Sequence, residues 1–251
     1  MKWHNVLIVI SLLSLQACQQ SSDSQDDVSV KKKHRNDAAG YNVQLGLGYL
    51  KQGNIPRSKR KLLLALEQAP SSHEANAAMA YFMEKTGDVD HAKSYYQKAM
   101  ASALGRGTQL NNYGAFLCRQ GDYVQAEQYF LKAIKDLQYE NTAGAYENAG
   151  LCAMALPDDT KAEHFFSKAV KQDPSRKQSL YELVKLEMKH NRLDDALAHL
   201  RKYPETVLRS QDILTLAVQV AHQSGQLEVE ANYRRSLESY GVKYDDDSNN
   251  R

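Results

Sequence analysis

The strongest constraint on this chain is a 34-residue period. Gly53, Gly87 and Gly121 are spaced by 34 and 34 residues, and Asn191 and Gly225 by another 34. Between Gly121 and Asn191 lie 70 residues, two more periods with two residues inserted, which places Pro157 at the intermediate loop. Ala92, Ala126, Ala162 and Ala196 each follow five residues after these loop positions, and Ala65, Ala99, Ala133 and Ala169 twelve after. Pro70 and Pro174 close two of the units.

A period of this length, with small residues at fixed crossing points and a turn in the middle, is the tetratricopeptide-repeat (TPR) pattern of one helical hairpin per unit. Each element has a physical cause. A glycine at the end of the first helix tolerates the left-handed conformation that stops it, and the Asn54, Asp88 or Asp122 that follows caps the next helix. The alanines let two backbones approach, and Tyr96, Phe130 and Phe166 fill the space beside them. A lone hairpin cannot bury its apolar face, so neighbours must stack. Six units follow: 39–72, 73–106, 107–140, 143–176, 177–210 and 211–240. The last carries Glu230 where units two to five carry Ala92, Ala126, Ala162 and Ala196, as a solvent-facing cap would. Five prolines and almost no alternation of β-branched residues agree with an all-α, right-handed superhelical TPR solenoid.

The longest apolar stretch lies at the start. Lys2 precedes the core Val6–Leu15, and the segment reaches Leu15-Gln16-Ala17-Cys18, so residues 1–17 read as a secretory leader too short to span a bilayer. A leucine three places before Cys18 and an alanine just before it resemble a bacterial lipobox, which implies lipidation of Cys18 with palmitate-type acyl chains. By similarity to lipoprotein sorting, Gln19 in place of aspartate implies the outer membrane, facing the periplasm. Residues 19–38 are polar and charged, and are expected to form a flexible tether reaching roughly 25 Å, or about 70 Å if pulled straight. Within it Lys31-Lys32-Lys33-His34-Arg35 is expected to be solvated. The tail 241–251 is expected to be disordered.

Thirty-two basic against 30 acidic residues give no sign of a nucleic-acid partner. The eight histidines lack a ligand spacing and the three cysteines form no Cys-x-x-Cys pair, so no metal or other cofactor is expected. Phosphate loops, nucleophile elbows and dinucleotide fingerprints are absent, so neither catalysis nor a small-molecule substrate is expected. Asp158-Asp159 and Asp194-Asp195 fall at helix starts, where capping accounts for them. Cys118 and Cys152 lie 34 residues apart in the first helices of units three and four. Adjacent turns bring them within reach of a disulfide. Two buried free thiols are the other reading.

In a TPR stack the first helices line the inner surface. The positions facing it are Val43, Leu47 and Leu50, then Ala77 and Tyr81, then Asn111, Ala115 and Arg119. Glu147, Leu151, Met154, Tyr181, Lys185 and Lys189 continue the series. This predicts a groove more apolar in its N-terminal half, fit for a peptide or helix of a partner. The protein itself is expected to be a monomer.

The stretch Asn111-Asn112-Tyr113-Gly114-Ala115-Phe116-Leu117-Cys118-Arg119-Gln120-Gly121-Asp122-Tyr123 resembles a signature segment of the type IV pilus biogenesis lipoproteins, the PilF/PilW family. Ala145-Tyr146-Glu147-Asn148-Ala149-Gly150-Leu151-Cys152 resembles the next unit of that family. The resemblance implies a pilotin, an outer-membrane lipoprotein that helps the pilus secretin reach that membrane and multimerise. In some relatives the emphasis is on stabilising the fibre, and a general TPR adaptor for another envelope assembly is the wider alternative. It also implies a hydrophobic groove in the N-terminal repeats and a disulfide between Cys118 and Cys152.

Overall fold

The computed structural model describes residues 23–101 and 106–240, with side chains from residue 29 onward. Among these residues there are thirteen helices and no strand. The leader 1–17, Cys18, residues 19–22 and the tail 241–251 lie outside the described residues. The chain divides between Ser102 and Ala103 into two compact units.

The first unit is two hairpins, α1 (Asp23–Lys51) with α2 (Ile55–Gln68) and α3 (His73–Lys85) with α4 (Val89–Met100). The second begins with α5 (Arg106–Arg119) on α6 (Tyr123–Ile134) and α7 (Thr142–Ala153) on α8 (Asp159–Gln172). It continues through α9 (Lys177–Lys189), α10 (Leu193–Lys202), α11 (Pro204–Leu208), α12 (Gln211–Gln223) and α13 (Leu227–Glu238). Within each unit, consecutive hairpins pack first helix on first helix and second helix on the following first helix.

The turns repeat one hydrogen-bond scheme. Gly53, Gly87, Gly121 and Gly225 have positive φ, as does Asn191 at 58°. After each, the next amide reaches back to the helix it leaves: Asn54 N to Tyr49 O at 2.8 Å, Asp88 N to Met83 O at 2.8 Å, Asp122 N to Leu117 O at 2.9 Å. This closes carbonyls that a helix end leaves open. Asn54, Asp88 and Asp122 then accept from the amides of Arg57, His91 and Gln125, capping the next helix. Each such cap stabilises by about 1 kcal/mol. The Pro157 loop needs no left-handed residue, because its extra length lets Ala155 and Leu156 donate back three residues while Asp158 caps α8.

The crossing alanines Ala65, Ala92, Ala99, Ala126, Ala133, Ala162, Ala169 and Ala196 are all fully buried. Opposite them a second complementarity operates. Gly114 and Gly150 face the rings of Phe130 and Phe166 so closely that an added Cβ would stand 2.9 and 2.7 Å from ring carbons. Ala80 occupies the same register opposite Tyr96, which donates its hydroxyl to Glu84 at 3.1 Å. Where the first helix brings Val184 instead, the second brings the smaller Leu200, and both are buried.

Two features depart from the sequence reading. Residues 23–38 continue α1 as a helix rather than a flexible tether, with residues 29–37 exposed. The composition rule asks whether a segment can bury enough to nucleate order by itself. Here the packed part from Ala39 supplies the nucleus, and extension then adds one bond per residue. Secondly, Pro204 breaks the second helix of the fifth repeat into α10 and the one-turn α11, since it has no amide to donate and restricts Tyr203.

Gly114→Ala should therefore destabilise the protein by about 1–3 kcal/mol, since Phe130 and the Ala126 carbonyl at 3.1 Å leave no room for a methyl group. Urea denaturation of the variant beside Gly48→Ala, where a Cβ meets nothing within 4 Å, separates this clash from any change in helix propensity.

Candidate protein-binding surface

In the first unit the predicted apolar line is half used by the core. Val43, Leu47 and Leu50 are half-buried and pack against Leu62, Met79 and Phe82. Tyr81 is the residue of this line that stays open, at 38% exposure, with Lys85 Nζ 5.3 Å from its ring centroid. Ala77, half-buried one turn earlier on α3, leaves the surface beside it low.

In the second unit Asn111 is buried and accepts from Asn148 Nδ2 at 3.0 Å, so its side chain ties α5 to α7 instead of facing a partner. Ala115 is half-buried and Arg119 is exposed at the end of α5. Leu151 on α7 and Met154 at its C-terminal cap are as open as Tyr81, at 40% and 39%. On the predicted line, Val43, Leu47 and Leu50 of α1 pack against Leu62 and Phe82, while alanine- and glycine-rich α7 packs through its small side and leaves Leu151 open. Asn148 was not singled out from sequence; its signal was a second asparagine one repeat on from Asn111.

Cys118 and Cys152 are joined by a disulfide with their Cα atoms 5.8 Å apart. It lies between α5 and α7, beside Ala115 and Leu151, and bonds two first helices that otherwise touch lightly. Further along, charges replace apolar groups. Glu147 accepts from Arg176 at 3.3 Å and from the Ser179 hydroxyl at 2.7 Å, Lys189 pairs with Asp159 at 2.5 Å, and Lys185 lies over Tyr181. The Lys189 and His190 contacts hold the Asp159 carboxyl below the usual carboxylate range.

An open polar cleft also runs between α8, α9 and α10, lined by Glu163, Ser167, Leu183, Glu187 and His199. His199 Nδ1 stands 2.9 Å from the buried Glu187 carboxylate. The carboxylate beside it raises the imidazole above its ordinary value, against the opposing effect of burial. Among the described residues no three His, Cys, Asp or Glu side chains are grouped to hold a metal ion. The open groups are apolar side chains and paired charges, which is the chemistry of protein docking.

The repeat geometry matches known proteins. Residues 117–177 match the tetratricopeptide-repeat family. The type IV pilus assembly protein PilF of Pseudomonas aeruginosa is 33% identical over 180 residues, covering 72% of this chain and 71% of that protein. The chain belongs to the PilF family. The solved structure of Pseudomonas aeruginosa PilF overlays with a TM-score of 0.66 at 28% identity, covering 83% of this chain and 98% of that one. PilW, a type IV pilus biogenesis factor, shares the fold with a TM-score of 0.62 at 22% identity, covering 82% and 100%. This PilF-family chain is thus a TPR protein of type IV pilus biogenesis, and the TPR scaffold makes its partners proteins.

Two outcomes follow from this geometry. Cys118→Ala/Cys152→Ala should lose up to about 4 kcal/mol of stability, the loop-closure value for the 34-residue separation, measured as a fall in thermal midpoint of the second unit. For His199 the folded value is raised, so its stabilisation is complete below about pH 6.5, the unfolded value, and disappears as pH rises through the folded one. The urea midpoint should fall between pH 6 and pH 9, and His199→Gln should flatten that slope; equal slopes would show that the pair contributes nothing.

Proposed function

We propose that this chain is a pilotin: a lipoprotein tethered through Cys18 to the outer membrane, facing the periplasm, that carries the type IV pilus secretin there and promotes its multimerisation. The observation that supports it best is the open Tyr81 beside half-buried Val43, Leu47 and Leu50, an apolar surface exposed on a family member of pilus assembly. An acylated cysteine with two or more chains anchors stably, since each buried methylene contributes about 0.8 kcal/mol. Secretin held on the same molecule is then concentrated at the bilayer, and ring assembly becomes a local event.

The helical start of α1 refines this mechanism. Only residues 19–22 separate Cys18 from Asp23, and the sixteen residues 23–38 extend about 24 Å as a helix. The folded repeats would stand off the membrane on a strut, with a narrower range of heights than a coil allows.

In cells lacking the gene, the wild-type chain should restore secretin multimers to the outer-membrane fraction. Tyr81→Asp, at an exposed position that leaves folding intact, should reduce those multimers at least tenfold, and Cys18→Ser should leave them in the wrong fraction. Unchanged multimers together with missing surface pili would overturn the pilotin reading in favour of fibre stabilisation.

A further inference from the structure

One repeat breaks the comb in its interior. Four residues before the loop position, repeats two, three, four and six carry Met83, Leu117, Ala153 and Ala221, and eight after it Tyr95, Tyr129, Phe165 and Tyr233. In the fifth repeat the same two places hold Glu187 and His199. An apolar side chain and an aromatic ring have been exchanged for a carboxylate and an imidazole, with His199 Nδ1 standing 2.9 Å from Glu187 Oε1.

Where the pair is apolar it seals the junction between helices. Met83 and Tyr95 pack on the same core of Leu62, Met79 and Phe82, and Phe165 is buried. Where it is charged, a cleft of about 300 Å³ opens between α8, α9 and α10. At its inner wall Glu187 is 3% exposed, and its Oε2 has no hydrogen-bond partner. Buried polar atoms are as a rule paired, because an unpaired one gives up its hydration for nothing. What this oxygen lacks is a donor entering through the cleft.

Charge and shape narrow the occupant. Glu163 pairs with Arg192 and lies 3.9 Å from His190, while Lys168 and His164 are exposed at the rim. On α10 itself the Asp195 backbone and Lys202 act on His199 in opposite senses. Glu187 is therefore the carboxylate whose counter-charge depends on a proton, the one His199 carries. A cation placed on Oε2 takes over that role and lets the proton go. Only this oxygen is open, because Oε1 faces the imidazole, and one open oxygen suits a single ammonium N–H better than the two-pronged guanidinium of arginine. Buried Leu183 offers an apolar wall for a carbon stem, and the Ser167 hydroxyl a further acceptor. The volume is at the lower end for ligand sites, room for one side chain. A metal ion lacks the three-ligand grouping it needs among the described residues. Since a TPR scaffold takes proteins as partners, the carrier is a residue of another chain.

We propose that this cleft takes the side chain of a lysine presented by a partner protein, its ammonium donating to Glu187 Oε2 and its stem lying along Leu183. Its arrival displaces the proton of His199. Neither the lipid anchor nor secretin enters this reading, which stands apart from the pilotin proposal.

The test follows the full chain in detergent micelles by nuclear magnetic resonance, the His199 ring signal being identified by its loss in His199→Gln. The probe is lysine capped as Nα-acetyl-lysine N-methylamide, beside capped arginine, capped glutamine and butylamine at matched ionic strength. Capped lysine should shift the Ser167 amide and the His199 ring and lower the midpoint of the His199 titration. It should bind about tenfold more weakly at pH 6 than at pH 8, because proton and ammonium compete. His199→Tyr, which restores the ring of repeats two, three and six, should abolish the Ser167 shift, and Glu187→Gln should weaken binding at least tenfold. Equal shifts with capped glutamine or capped arginine, shifts with butylamine alone, binding indifferent to pH or to either variant, or no shift at all would overturn the proposal. The pH dependence and the choice among probes are read on the wild-type chain, so the proposal can fail whether or not a variant folds.

Discussion

The packing of both units depends on how closely the two helices of a hairpin approach. Gly114 against Phe130 and Gly150 against Phe166 set that distance, because a ring on one helix occupies the volume a side chain on the other has given up. Once the hairpin is drawn together, its outer side is too narrow to bury its own apolar residues. The next hairpin has to cover them, and the stack follows from a local fit. The left-handed glycines and the Asn or Asp caps then hold each hairpin at the same turn, so the error per repeat stays small.

That dependence leaves the ends of a stack different from its middle. Within the units, α3, α7, α9 and α12 are each covered on one side by the preceding hairpin and on another by their own partner. Among the described residues no helix precedes α1, and Tyr41 and Leu45 are open. In the second unit α13 is polar, and its Glu230 is buried between Arg234 and His222, which hold its carboxyl low although burial alone would raise it. The second unit therefore closes on an internal ion network at α13, and α1 of the first unit presents apolar surface.

The same logic explains where function can reside in the first helices. A residue such as Leu47 serves both the core and the surface, so changing it tests folding as much as binding. Leu151 projects further because α7 packs through alanine and glycine, and Tyr81 because α3 turns Ala75, Met79 and Phe82 to the core instead. Charged pairs such as Glu127 with Lys161, 2.9 Å apart, link neighbouring repeats on the outer side, where solvent reduces each to a small contribution.

Much of this was legible in the amino-acid order. The 34-residue comb of Gly53, Gly87 and Gly121, the alanines at their fixed offsets and the caps that follow each glycine specify the fold class and the hairpins, since each depends on contacts a few residues apart. The resemblance around Asn111–Tyr123 identified the family. What the tertiary structure alone decided was which side of each first helix is left over. Asn111 became an internal tie to Asn148, Val43 and Leu50 were drawn into the core, and residues 23–38 became helix because Ala39–Lys51 had already paid the cost of nucleation. Sequence period marks which residues are equivalent; burial depends on whether a neighbouring hairpin exists to cover them, and that is a property of the stack, not of the repeat.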